Sequence, residues 1–522
     1  MTFDILIKKG TVIDGLANEP FAADVGIVGN RIKAVGNLQQ ARGRQEISAA
    51  DCFVTPGFID IQNHSDSYLT LLDHPGMDGL VSQGITTVLV GHCGTSLAPL
   101  PSAEAFKSIQ KWRSLVGANI NWQTFDEYLA ALSGYPLGAN VAGLVGHATV
   151  RRGILGDQLR AATPEESRIV DDVLRRSMDA GAFGVSLGLV YAHEVNSSEQ
   201  ELLAVAKATA SREKLLSVHL RSEGSHVVPA LSEVIDLAEK AGTALKISHF
   251  KIRGQSNYHY LDEALSTIDR AYQRGVEVFF DIYPYTTSWT VLYTYLPKWA
   301  YEGGKKSILQ NLKDRTARER ILVHLRGLEA NLGAVFVASA ESNPGLAGKT
   351  LAQIAVNQEV SVEEALLRVL GGTAAQAIVF DRNLSEDIML SLLAHPLSVV
   401  ASDGAGYGFA YSATQGLVHP RCFGAMPRFL SLVREKKFMS WSEAIKKITS
   451  RPADKMKLSN RGRIAVGAAA DLVIFDPETI GSRATYENPY QEADGVSYVL
   501  VNGQVAFAAR AESRATAGKI LK

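Results

Sequence analysis

Short apolar runs recur through the middle of the chain, each ending in glycine or polar residues. They are FIDI at 58–61, TTVLV at 86–90, NVAGLV at 140–145, FGVSL at 183–187, LLSV at 215–218, ALKIS at 244–248, VEVFFDI at 276–282 and LSVVAS at 397–402. Runs of this length, bounded by turn residues, predict strands buried on both faces. Helical patterns separate many of them. In TPEESRIVDDVLRRSMDAG, Thr163 is placed to cap a helix, with Pro164 in the first turn and Glu166 three residues after the cap. SSEQELLAVAKATA and VVPALSEVIDLAEKAG carry apolar residues three and four apart, the second stopping at Gly242. Strand and helix alternating eight times predict a parallel sheet closed as a (β/α)8 barrel over residues 58–457.

The two ends of the chain have a different texture. Residues 1–57 and 458–522 hold period-two runs broken by glycine and asparagine, as in FDILIKKGTVIDG and ADLVIFDP. This is the pattern of short antiparallel strands, and it predicts one small β-sandwich domain built from both termini. About 115 residues separate the seventh and eighth strand runs, too many for a plain loop. An inserted lid or subdomain is expected at about 285–395.

Composition narrows the function classes. The 522 residues carry 53 Lys plus Arg against 54 Asp plus Glu, so no electrostatic footprint for nucleic acid or an anionic membrane exists. No run of about 18 apolar residues occurs, and the first residues lack the continuous apolar segment of a secretion signal. The expectation is a cytoplasmic protein acting on a small molecule, with homo-oligomerisation left open. Three cysteines, Cys52, Cys93 and Cys422, are too few for a disulfide framework.

The chemistry gathers at the strand ends, which in such barrels form the active face. The run at 58–61 ends in Gln62, Asn63, His64, Ser65 and Asp66. The next leads to His92 and Cys93, the third to His147, the fifth to His219, the sixth to His249, the seventh to Tyr283 and the eighth to Asp403. Five of 12 histidines therefore fall at these ends. Cys93, His219, His249 and Asp403 suit a zinc site that keeps a position open, because thiolate and neutral imidazole are good zinc ligands. His92 and His147 read as supporting or packed groups, and Cys52 and Cys422 as small buried hydrophobes.

These motifs resemble the amidohydrolase superfamily, and within it the N-acyl-D-amino-acid deacylase (D-aminoacylase) family. The likeness is carried by TPGFID with its polar cluster, VGHCGTSLAP, GAFGVSLGLVY, SVHLRSEG, KISHFK, DIYPYT, ASDG, HPRCFGAMPRFL and GRIAVGAAADLVIFDP, in that order. The resemblance implies one tightly bound zinc held by Cys93, His219 and His249, with Asp403 as the proton shuttle. It also implies Tyr191, Lys251, Tyr283 and Ser288 as binders of the substrate's free carboxylate. One departure stands out: where the superfamily has His-x-His, this chain has Gln62 and then His64. An amide is a poor zinc donor, so a second metal at His64 is expected to be weakened or absent. His64 is then expected to stabilise the oxyanion, and Gln62 to bond a water or the substrate. Arg421 and Arg253 are candidates for reading an acidic side chain.

The expected reaction is hydrolysis of an N-acyl-D-amino acid to a carboxylate and a free amine. A cyclic-amide hydrolase of the hydantoinase or dihydroorotase kind is the alternative, and a degenerate, non-catalytic barrel a further one. No lysine at a strand end offers the carboxylated bridge of the cyclic-amide enzymes, while Cys93 occupies a metal-loop position.

Overall fold

The computed structural model describes residues 2–109, 119–328, 330–411, 416–509 and 515–522. Its centre is a parallel (β/α)8 barrel. Phe58–Asp60, Ile85–Val90 and Asn140–Gly143 pair in that order. Past Leu144 the third strand resumes as Val145–Gly146 beside Gly184–Gly188, and Leu215–His219, Ala244–Ile247, Val278–Ile282 and Ser398–Val400 follow in parallel. The runs are continuously apolar because alternate residues serve two cores. Ile59, Ile61, Leu89, Phe279 and Val399 fill the barrel interior, whereas Phe58, Val88, Val90 and Phe280 face the surrounding helices.

Closure between the eighth and first strands is made by a few bonds. Asp403 N donates to Gln62 O (2.9 Å) and His64 N to Gly404 O (2.7 Å). The carboxylate of Asp60 accepts from Ser402 N at 2.8 Å and from Asn63 Nδ2 at 2.8 Å. Burial pushes its pKa up to about 6 against the lowering pull of these bonds. Asp60 thus fixes where the chain leaves strand one relative to where it leaves strand eight.

The helices begin where the sequence places their caps. Thr163 Oγ1 accepts from Glu166 N, and the Glu166 carboxylate accepts from Thr163 N at 2.8 Å, closing a capping box on Pro164–Asp179. Ser198 caps Glu199–Ala210, and Val227–Ala241 stops at Gly242, whose φ of +69° suits the residue without a Cβ.

Between strands seven and eight lies an antiparallel sheet of Ser288–Val291, Ile378–Asp381 and Phe336–Ser339. With its helices it has a core of its own, including Leu292, Ile321, Leu351 and Leu366. The helix Glu386–Ala394 that follows packs instead on the barrel core through Ile388, Met389, Leu392 and Leu393. The termini build one eight-stranded sheet in which Thr2–Val12 pairs on both sides and Leu472–Phe475 joins Phe53–Pro56. Period two divides its faces. Leu472, Ile474 and Leu500 point into the small domain's core, and Val473, Phe475 and Val501 into the cluster shared with the barrel. Among the described residues, no helix is long and apolar enough to cross a membrane.

Candidate active site

The C-terminal ends of the barrel strands open into one cavity. It is lined by His64 after strand one, Cys93 after strand two, His219 at the end of strand five, His249 after strand six, Tyr283 after strand seven and Asp403 after strand eight. Three of these residues hold a left-handed backbone: Cys93 at φ +56°, His249 at φ +37° and Asp403 at φ +50°. Such conformations cost about 1–3 kcal/mol each and turn a side chain sharply off its strand into the cavity. The glycines of VGHCGTS make the cysteine turn feasible. A Cβ on Gly91 would meet Leu144 O at 2.2 Å, and one on Gly94 would meet Glu194 Oε2 at 2.0 Å.

Ligand atoms of Cys93, His219 and His249 all lie within 4.8 Å of one another. Cys93 Sγ is 3.4 Å from His249 Nε2, and the two imidazoles meet edge to face at 4.4 Å between centroids. Burial acts to raise the Cys93 pKa, but the imidazoles of His249, His219 and His64 outweigh it and hold the thiol well below its usual range. His219 Nδ1 is buried with no hydrogen-bond partner. A thiolate and two imidazoles converging on one spot, one of them with a buried unpartnered ring nitrogen, fit a zinc site with an open position. Behind His249, Nδ1 lies 3.2 Å from Glu223 Oε1. A carboxylate there fixes ring orientation and leaves Nε2 facing the sulfur.

Asp403 stands across from this trio. Its Oδ1 is 3.1 Å from His64 Nε2, and its Oδ2 is 2.8 Å from Arg421 Nη2. Burial raises its pKa, yet Arg421, His249 and His64 together hold it well below the ordinary carboxylate range. Arg421 itself is buried over the rings of Tyr283 (4.5 Å) and Trp289 (5.6 Å), with Nε and Nη1 unpartnered. Two guanidinium donors are therefore left to receive an anion.

The expected carboxylate binders lie on the same cavity. Tyr191 packs edge-on against His219 at 5.2 Å, and Tyr283 is buried beneath Arg421. Ser288 Oγ is 3.2 Å from Asn383 Oδ1. Lys251 Nζ is engaged with Glu223 Oε1 (2.5 Å) and His249 O (3.0 Å), so an incoming anion competes with Glu223. Arg253 lines the wall with its Nε unpartnered.

Gln62 falls elsewhere. Expected at the substrate, it is fully buried and does not line the cavity. It sits below, with Nε2 3.6 Å from Cys93 Sγ and Oε1 accepting from Lys246. Lys246 stands within the sixth strand rather than at its end, and its ammonium is ion-paired with Asp281 at 2.5 Å. His92 is buried and donates through Nε2 to Leu89 O (3.0 Å), and burial with nearby Lys246 and His64 keeps its pKa well below the usual value. His147 is enclosed by Glu194 (2.7 Å) and Glu201 (3.3 Å), as a support behind the cysteine loop. Sequence reasoning missed Glu223 and Lys246. The first follows a proposed ligand by four residues, and the second interrupts an apolar run, which are the only local signals they give.

A parallel barrel whose strand ends bring together a thiol and two imidazoles able to hold a metal, with a carboxylate opposite and a β-domain built from both termini, has the architecture of a metal-dependent hydrolase. The model of the amidohydrolase family matches residues 45–507, and the chain belongs to that family. It is 31% identical over 520 residues to D-aminoacylase of Alcaligenes xylosoxydans xylosoxydans, covering 99% of this chain and 97% of that one. To N-acyl-D-glutamate deacylase of the same organism it is 33% identical, covering 97% and 93%. N-acyl-D-glutamate deacylase from Bordetella bronchiseptica, crystallised with zinc and a phosphonate mimic of the tetrahedral intermediate, superposes with a TM-score of 0.85 at 31% identity over the whole of both chains. A D-aminoacylase whose binuclear centre is described by one-metal activation and second-metal attenuation superposes at 0.84 and 30% identity, again over both whole chains. D-hydantoinase, at 16% identity and 0.56, shares the fold alone.

Proposed function

We propose that this enzyme hydrolyses N-acyl-D-amino acids, releasing a carboxylate and the free D-amino acid. The observation that carries the reading is the convergence of Cys93, His219 and His249 opposite an anionic Asp403 that is itself paired with Arg421. Kinship over nearly the full chain with D-aminoacylase and N-acyl-D-glutamate deacylase supports the substrate class.

Cys93, His219 and His249 would hold one zinc ion, with His64 facing Asp403 rather than presenting itself to a second. When bound, zinc supplies Lewis-acid polarisation of the acyl carbonyl and activation of water. Asp403 takes a proton from the attacking water as the new C–O bond forms, then hands it to the amide nitrogen as the C–N bond breaks. His64, within 3.1 Å of Asp403, orients that carboxylate. Arg421 links binding to basicity. When the substrate carboxylate occupies the unpartnered Nε and Nη1, the guanidinium is shared between two anions, its hold on Asp403 weakens, and Asp403 becomes the better base. Tyr191, Lys251, Tyr283 and Ser288 complete the carboxylate pocket.

The direct test is Asp403→Asn, assayed on N-acetyl-D-amino acids alongside zinc analysis. Zinc is retained and turnover falls by about 10²-fold or more, the scale of a lost acid–base group. Near-normal turnover would remove Asp403 from the reaction.

A further inference from the structure

The barrel floor beneath the metal trio contains a wired cation. Lys246 is fully buried and projects inward from the strand Ala244–Ile247. Its ammonium has three partners: Asp281 Oδ1 at 2.5 Å, Ser248 Oγ at 3.5 Å and the Gln62 amide oxygen. Asp281 in turn accepts from His249 N at 2.9 Å through its other oxygen, so the ion pair is tied to the backbone of a metal-ligand candidate.

This arrangement fixes the amide of Gln62 one way round. An ammonium has only donors, so it must take the amide oxygen, and the amide NH2 is thereby turned to Cys93 Sγ at 3.6 Å. In that orientation Gln62 presents no lone pair to a cation, and neither does Lys246. Two neighbouring groups able to ligate a cation are engaged with protein partners as well. His64 Nε2 faces Asp403 Oδ1 at 3.1 Å, and Asp403 Oδ2 faces Arg421 at 2.8 Å.

We propose that Lys246, acting through Gln62, supplies this site's second positive charge covalently and so restricts the enzyme to a single zinc. Gln62 is a positioning residue that donates an N–H to the metal-binding sulfur, and Lys246 is the residue that locks it. Attenuation by a second metal, the behaviour described for the D-aminoacylase neighbour, is then absent here. The inference rests on the reading that Cys93, His219 and His249 hold zinc.

The test uses purified full-length enzyme and equilibrium dialysis against zinc from micromolar to millimolar, with metal counted per chain. Wild type holds one zinc throughout and keeps its activity. The double variant Gln62→His/Lys246→Gln restores an imidazole and removes the ammonium while leaving an N–H for Asp281, and it takes up a second zinc. A second readout does not depend on that variant folding. In the cobalt-loaded Gln62→Leu enzyme, loss of the N–H···S bond shifts the thiolate-to-cobalt charge-transfer band relative to cobalt-loaded wild type. Two zinc ions in wild type, or a folded double variant that holds only one, would overturn the proposal. So would an unmoved cobalt band. A wild type holding no zinc would overturn the metal-site reading itself, and this inference with it.

Discussion

Replacing Arg421 by Met removes the cation nearest the proposed base while preserving most of the apolar volume against Tyr283 and Trp289. At the observed 2.8 Å, the Coulomb attraction between Arg421 and Asp403 is about 6 kcal/mol in an effective dielectric of ~20. Desolvation of both groups and the remaining His64 bond offset much of it. If a third is expressed in the proton equilibrium, about 2 kcal/mol remains, equivalent to about 1.5 pKa units. Asp403 is held low in the wild type, so activity that needs its anion is lost only as pH falls through that depressed value. Without Arg421, the same loss occurs at higher pH. The assay is kcat/KM against pH on an N-acetyl-D-amino acid, with zinc content measured at each pH. The acid limb of Arg421→Met moves up by about one unit or more, and KM rises because two donors to the substrate carboxylate are gone. Arg421→Lys, which keeps a cation, restores most of the limb but not KM. An acid limb that stays put in a zinc-replete Arg421→Met enzyme would refute the coupling between the two residues.

Two other perturbations separate local strain from support of the site. Gly94→Ala drives a Cβ to 2.0 Å from the buried Glu194 carboxylate at φ +75°, so both stability and zinc retention fall. Gly242→Ala, at φ +69° with open space around it, costs only about 1–2 kcal/mol of strain and leaves zinc and kcat unchanged; equal zinc loss in both would show that the clash is not the cause. The buried His147–Glu201 pair makes stability depend on pH. Burial lowers the His147 pKa, but Glu194 and Glu201 carry it up to about 9, while Glu201, despite burial, is brought down to about 2 by His147 and Arg151. The histidine's contribution is complete below its unfolded value of about 6.5 and is lost as pH rises towards 9, and that of Glu201 is complete above about 4.5 and is lost towards pH 2. Urea unfolding should therefore show a decline between about pH 6.5 and 9 that Glu194→Gln flattens, and an unaltered slope in that variant would sink the assignment.

That Cys93, His219, His249 and Asp403 share one cavity was legible because each closes an apolar run, and a barrel brings its strand ends to one face whatever the intervening chain does. What stayed hidden were the pairings across that face. Gln62 and Lys246 are 184 positions apart, and nothing local says that the amide of one meets the ammonium of the other. Lys251 looked like a free cation for a carboxylate because Glu223, its partner 28 positions earlier, sits in an unremarkable polar turn. Arg421 had no reason to be matched with Asp403, because it opens the helix Arg421–Lys436 and nothing in its own neighbourhood of the sequence points back to the end of strand eight.

One of these pairings did leave a trace. In ALKIS, Leu245 and Ile247 face the helices, so period two sends Lys246 and Ser248 into the barrel. A charge sent inward on a strand demands a counter-charge on an adjacent one, and VEVFFDI next door offers Asp281. The inward ammonium then accounts for the residue at position 62: an amide can turn its oxygen to Lys246 and its NH2 to the sulfur of Cys93, serving both neighbours at once.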